Sequence, residues 1–231
     1  MKTVKQVVCL ANSRKLNGRC IAGKELVKGK AANWIRPVSA REHEEVSEYE
    51  RQYRDGSDPK KLDIINIPLL NPNPQEYQQE NWLLDSEKYW EKVGRFCWSN
   101  LNQLADPVGD LWTNGYKTYN GLNDKIPLSL ARGLGNSLCL VHVERLQLSV
   151  FKPGEAFGNL KRRVQGHFLY HGTEYRLWVT DPAFERNYLA KPDGIYKIGE
   201  CFLTISLGEA FDDASYKLIA AIFDRESGDL S

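Results

Sequence analysis

A single methionine, four histidines and an odd number of cysteines leave this 231-residue chain few of the residue patterns on which catalytic and metal sites are usually built. The five cysteines, Cys9, Cys20, Cys97, Cys139 and Cys201, form no C-x-x-C pair, and His43, His142, His167 and His171 stand in no zinc spacing beside them. His167 and His171 lie four apart, but Val164–Tyr170 alternates like a strand, where that spacing separates the two rings along the chain. The sequence therefore predicts no metal site and no cofactor. Cys9, Cys139 and Cys201 sit inside apolar stretches and read as reduced core thiols of a reducing compartment. Long hydrophobic runs are missing too. The longest, such as Leu218–Phe223, fall far short of the roughly 20 residues of a membrane helix, and Met1–Lys5 leads straight into a strand-like run with no signal-type segment. A soluble cytoplasmic protein without a membrane partner is the expectation. G-x-G-x-x-G, a Walker loop, a G-x-S-x-G elbow and H-E-x-x-H are all absent, so dehydrogenase, kinase and hydrolase readings gain no support.

Bias of charge is also lacking, since 31 basic and 30 acidic residues give a net charge of +1. Their distribution is uneven. Between Asn12 and Arg41 stand Arg14, Lys15, Arg19, Lys24, Lys28, Lys30, Arg36 and Arg41 against Glu25 alone, and the acids Glu42, Glu44, Glu45, Glu48 and Glu50 follow directly. Separation of this kind produces a local field that the net count hides. Lys24, Lys28 and Lys30 flank a glycine turn, where lysines also serve as ordinary solvated decoration.

Strand signals dominate what is present. Val4–Ala11, Arg19–Val27, Ala31–Val38 and Leu62–Leu70 read as strands, with a short strand at Tyr77–Leu84. Glu42–Arg54 is helix-permissive. A helix is predicted from Ser86 as N-cap to Leu104, with Tyr89, Val93, Phe96, Cys97 and Leu101 on one face. Residues 106–136 are rich in glycine and proline and read as an irregular connector. Ser137–Phe151, Leu160–His171, Thr173–Thr180, Cys201–Leu207 and Ser215–Asp224 form a second strand cluster. His171-Gly172 is a tight hairpin turn within it, and Ala183–Ala190 a short helix. The helices a parallel α/β sheet needs between its strands are missing. The predicted fold is mainly β: two tandem small β-barrels of the oligonucleotide-binding type, 1–105 and 137–231, with one intervening helix. A single large β-sandwich is the alternative.

Two clusters could carry chemistry. In the first, Ser13, Arg14 and Lys15 occupy the turn region between the first two strands, Arg19 opens the second, and Trp34 and Arg36 share a face of the third under plain alternation. Arginine forks suit phosphate, and an exposed tryptophan beside them would stack a base; a buried Trp34 and an Arg36 paired with glutamate are the structural alternative. In the second, Asp181, Glu185 and Glu209 could act as acid and base, although Asp181 before Pro182 also reads as a helix cap completed by Glu185. Lys161-Arg162-Arg163 opens a strand, and adjacent residues there point to opposite faces, so only two of the three address one ligand.

The stretches CLANSRK, GRCIAGK, WIRPVS and LDIINIPLL, the QQENW run and the closing CFLTISLGEAF and YKLIAAIF together resemble the dual OB-containing domain family, over nearly the whole length from Lys5 to Phe223. That resemblance implies tandem OB barrels and association with bacterial nucleic-acid modification; it implies no particular reaction. Ser13, Arg14, Lys15, Arg19, Arg36 and Pro37 match its N-terminal motif. Asp181, Pro182, Ser206, Leu207, Gly208, Glu209, Tyr216 and Lys217 match the C-terminal one. The leading functional expectation is binding of single-stranded or modified nucleic acid, within a bacterial modification or defence system. Ser13, Arg14, Lys15, Arg19, Trp34, Arg36, Lys161 and Arg163 are its candidate contacts. An enzyme acting on a nucleotide or base through Asp181, Glu185 or Glu209 is one alternative. An adaptor for an operon-encoded protein partner, using Trp82, Trp90 and Trp98, is the other.

Overall fold

The computed structural model describes residues 2–225. The chain divides into two compact units, Met1–Leu104 with Gly135–Ser137, and Ala105–Leu134 with Leu138–Ser231. Among the described residues no helix is long and apolar enough to cross a membrane.

The first unit is built from β1 (Thr3–Lys15), β2 (Gly18–Val27), β3 (Lys30–Val38), α1 (Glu48–Arg51), β4 (Asp63–Pro72), β5 (Asn81–Leu84) and β6 (Glu91–Arg95). Neighbours run β1-β2-β3-β5-β4, and antiparallel pairing of β1 with β4, from Thr3–Leu69 to Val8–Ile64, closes the ring. β3 and β5 pair in parallel. β1 serves two neighbours by bending at a bulge between Cys9 and Ala11. Opposite that bend only glycine fits: a Cβ at Gly23 would collide with the Val8 carbonyl oxygen. Alternation turns Val7, Cys9, Ile21, Ile35, Ile65 and Ile67 into the barrel, where they pack with Trp90. α1 starts with the box its sequence offers, Ser47 and Glu50 exchanging hydrogen bonds with each other's backbone.

The second unit contains β7 (Lys125–Pro127), α2 (Leu128–Ala131), β8 (Leu138–Phe151), β9 (Arg163–Tyr170), β10 (Thr173–Val179), α3 (Pro182–Leu189), β11 (Gly194–Leu207) and β12 (Ala214–Asp224). The order is β8-β9-β10-β12-β11 and back to β8, closed by parallel pairing of Trp178 with Leu218 and of Val179 with Ile219. Both units thus repeat one plan: five strands in the same order, a parallel third–fifth pair, and a helix between the third and fourth strands. Residues of the expected connector pack inside the second unit. Leu111 lies in its core, and the Tyr170 hydroxyl donates to the Val108 carbonyl at 2.6 Å.

The helix predicted over 86–104 does not form. Glu91–Arg95 is an edge strand on β4, and Trp98–Leu104 is a 3-10 helix. The apolar spacing that suggested a helix is not a buried face: Tyr89 and Val93 are exposed, while Trp90 between them is buried in the core. β11 also begins seven residues before the expected Cys201. Its largely exposed start, Gly194–Lys197, is held by its register with β8.

Candidate nucleic-acid interface

A two-residue turn sets the geometry of the second barrel's outer face. His171 and Gly172 both have positive φ (45° and 81°), the backbone a tight hairpin requires. The turn fixes the register that places Trp178 opposite Gln165. With Val164 and Val179 directed inward, Arg163 and Trp178 stand together on the outside as diagonal neighbours. The Arg163 guanidinium lies 4.0 Å from the Trp178 ring centroid, and Phe151 stacks near the same ring at 5.9 Å. This pair forms part of a cleft of about 610 Å³ lined also by Tyr119, Glu209, Phe211 and Tyr216.

Two loops supply the rings beside it. Asp124, itself buried, accepts hydrogen bonds from the Thr118 amide (2.7 Å) and hydroxyl (2.5 Å). The neighbouring Asn120 carbonyl accepts from Gln165 at 2.9 Å. Tyr119, between these anchors, is 88% exposed. Phe211 is 67% exposed at the β11–β12 connection, where its amide and carbonyl pair with Ala214. Large aromatics left this open, next to an arginine already stacked on tryptophan, are the arrangement on which unstacked bases settle.

The first barrel treats its candidates differently. Arg14 and Arg19 face one another across the β1–β2 pair, with Lys15 next to the turn. Ser13 is buried, and its hydroxyl donates to the Cys20 carbonyl at 3.4 Å. Trp34 is half-buried opposite Lys24, whose ammonium lies 5.6 Å from its ring. Arg36 is only 4% exposed and does not face solvent. It donates to the Ser137 hydroxyl (2.8 Å) and the Asn81 side chain (3.3 Å), and it forms an ion pair with Glu80 at 3.1 Å; Ser137 in turn donates to Glu80. Glu45 and Glu50 engage Arg41.

Among the second barrel's remaining candidates, Arg162 turns away to Asp193 (2.6 Å) and the Leu189 carbonyl, whereas Lys161 is exposed. Asp181 is a helix cap: one oxygen accepts from the Ala183 and Phe184 amides and the other from the Ile222 amide at 3.2 Å. Glu185 is buried in the first turn of α3. Of the three acids only Glu209 lines the cleft. Lys217, which the family motif includes, points inward and is 1% exposed. Its ammonium donates to the Thr113 carbonyl (2.8 Å) and Asn114 (2.9 Å), and burial lowers its pKa to about 8. Trp178, Tyr119 and Phe211 escaped the sequence reading. The hairpin turn could have revealed the first, because it dictates which residues sit beside Arg163.

Among the described residues no group of three or more His, Cys, Asp and Glu side chains is placed to hold a metal ion. Trp82 packs on the first barrel's core beneath the Lys5 ammonium, and Trp90 is buried, so these two offer no exposed apolar stripe.

A five-stranded barrel closed in this order, with its helix between the third and fourth strands and a cleft across the second and third flanked by loops, defines the OB class. The chain carries two barrels of this strand order, and the cleft lies on the second. It belongs to the dual OB-containing domain family, whose model matches residues 5–222. Comparisons with curated proteins and with solved structures return no match.

Proposed function

We propose that the protein binds single-stranded nucleic acid, and that the second barrel's cleft is the binding site. The observation that carries this reading is the Arg163–Trp178 pair on the outer face of β9 and β10, with Tyr119 and Phe211 exposed alongside. Unpaired bases would stack on the rings and on the guanidinium plane. The strand's phosphates would pass Arg163 and the exposed Lys161. On the first barrel, Arg14, Lys15 and Arg19 supply a second basic patch suited to phosphate contact without base reading. The family resemblance extends the proposal to recognition of modified nucleic acid in a bacterial modification or defence system, inside the cytoplasm.

The enzyme reading receives less support, because Asp181 spends both carboxylate oxygens on backbone amides. The test is fluorescence anisotropy with labelled single- and double-stranded oligonucleotides at two salt concentrations. Single strands should bind more tightly, with affinity falling as salt rises. Tyr119→Ala, at an exposed position that the fold does not need, should weaken binding by about 5- to 100-fold, the value of roughly one stacked base. No binding at low salt, or binding indifferent to salt and to Tyr119, would overturn the proposal.

A further inference from the structure

Lys217 stands next to a residue of the cleft and points away from it. Alternation along β12 turns Tyr216 outward, where it lines the cleft, and Lys217 inward, where it is buried. An ammonium is a poor filler for such a place. The two atoms it donates to, the Thr113 carbonyl oxygen at 2.8 Å and the Asn114 side-chain oxygen at 2.9 Å, are neutral. Desolvation outweighs the attraction of Asp110 and Asp124 nearby, which is why its pKa falls. A methionine of similar length would fill the space without burying a charge. What the ammonium supplies is its grip on two loop residues.

Those residues open the segment from Thr113 to Asp124, and Lys217 holds its far end as well: the Lys217 backbone amide donates to the Asp124 carbonyl at 2.8 Å. One residue thus clasps both ends of a compact surface loop. Within the clasp the loop folds on itself. The Gly115 amide donates to the Asn123 side chain at 2.7 Å and the Gly121 amide to the Thr118 hydroxyl at 3.0 Å, and a Cβ at Gly121 would collide with the Asp124 carboxylate. Thr118, Tyr119 and Asn120 of this loop line the cleft.

We propose that Lys217 is a positioning residue of the binding site: its buried ammonium keeps the Thr113–Asp124 loop closed, so that Tyr119 stands at the cleft before a base arrives. The inference rests on the nucleic-acid reading above. A loop ordered in advance spares the ordering entropy that a mobile loop would subtract from affinity. Lys217 touches no ligand itself and acts only through the loop.

Two measurements on the full chain at about pH 7 test this, one without ligand and one with it. Without ligand, Lys217→Met should speed amide hydrogen exchange at Gly115, Thr118 and Gly121 by roughly tenfold, the worth of one charge-assisted hydrogen bond, and leave the amides of β8, β9 and β11 unchanged. By anisotropy with a labelled oligo-dT, the same variant should bind roughly tenfold more weakly. Lys217→Met/Tyr119→Ala should bind within about twofold of Tyr119→Ala alone, because both act on one contact. Should Lys217→Met fail to fold, Asn114→Ala removes one of the two acceptors from a half-buried loop position and should give the same pattern in smaller degree. Unchanged loop exchange, parent-like affinity, or a binding loss that multiplies in full with that of Tyr119→Ala would overturn this inference and leave the nucleic-acid reading intact. A parent chain that binds no strand, with loop exchange still raised in Lys217→Met, would overturn the nucleic-acid reading and with it the role in binding, leaving Lys217 as a loop clasp alone.

Discussion

Arg36, Glu80, Asn81 and Ser137 form a buried polar cluster on the outer face of the first barrel's third strand. Ser137 and Asn81 are fully buried, and Arg36 and Glu80 nearly so. The Arg36 Nε and one Glu80 oxygen have no hydrogen-bond partner, so the pair is not ideally solvated by the protein. Arg36→Met would strand the Glu80 charge, and Glu80→Met would strand the guanidinium. Removing one partner of a buried pair costs about 3–5 kcal/mol. Arg36→Met/Glu80→Met together leaves no buried charge. The double variant should therefore recover to within about 2 kcal/mol of the parent, the remainder being the unpartnered Ser137 hydroxyl and Asn81 amide oxygen. Urea titration followed by tryptophan fluorescence reads this out, since four of the six tryptophans, Trp34, Trp82, Trp90 and Trp98, belong to the first unit. Each single variant should lower the midpoint by about 1 M or more, with the slope kept. Single effects below about 1 kcal/mol, or a double effect equal to their sum, would refute the account of a coupled buried pair.

Lys217 makes stability depend on pH in an unusual direction. Its pKa is about 8 when folded and about 10.4 in an unfolded chain. The native state thus carries a desolvation penalty that is fully present below pH 8. The penalty is relieved as pH rises from about 8 towards 10.4, where the unfolded chain still holds the proton. Relative to Lys217→Met, the parent should gain up to about 3 kcal/mol across that window; a flat difference from pH 7 to 10 would refute it. Asp181→Ala should cost about 2 kcal/mol or more in thermal or urea unfolding, from the lost α3 cap and the orphaned Ile222 amide, without changing oligonucleotide affinity. A loss of binding at full stability would instead restore Asp181 to the list of ligand contacts.

Local patterns were legible in the sequence where a short-range rule dictates them. Period-two alternation located most of the strands, the His171-Gly172 turn the β9–β10 hairpin, and Asp181-Pro182 the start of α3. Longer-range decisions were not. Arg36 reads in the sequence as an anion contact or as the partner of a nearby glutamate; the glutamate it meets is Glu80, 44 positions further along, and Ser137 arrives from 101. The supposed helix over 86–104 failed for the same reason, since its spacing matches a helix while pairing with β4 decides the outcome. Tyr119 belongs to a segment with no regular pattern at all, and it is held at the cleft by the Asp124 anchor within that loop and by Gln165 of β9 bonding the Asn120 carbonyl.

The path of the chain has a consequence for its birth on the ribosome. Strands β1 to β6 lie within the first 95 residues, so the sheet of the leading barrel can close early. The hydroxyl that Arg36 and Glu80 share comes from Ser137, which is made only after the polypeptide has left to begin its neighbour and come back. Until then the nascent barrel holds a half-dressed ion pair. A fragment stopped at Leu104 would keep that defect permanently, so dissecting this protein into independent halves should start from a cut other than the obvious one.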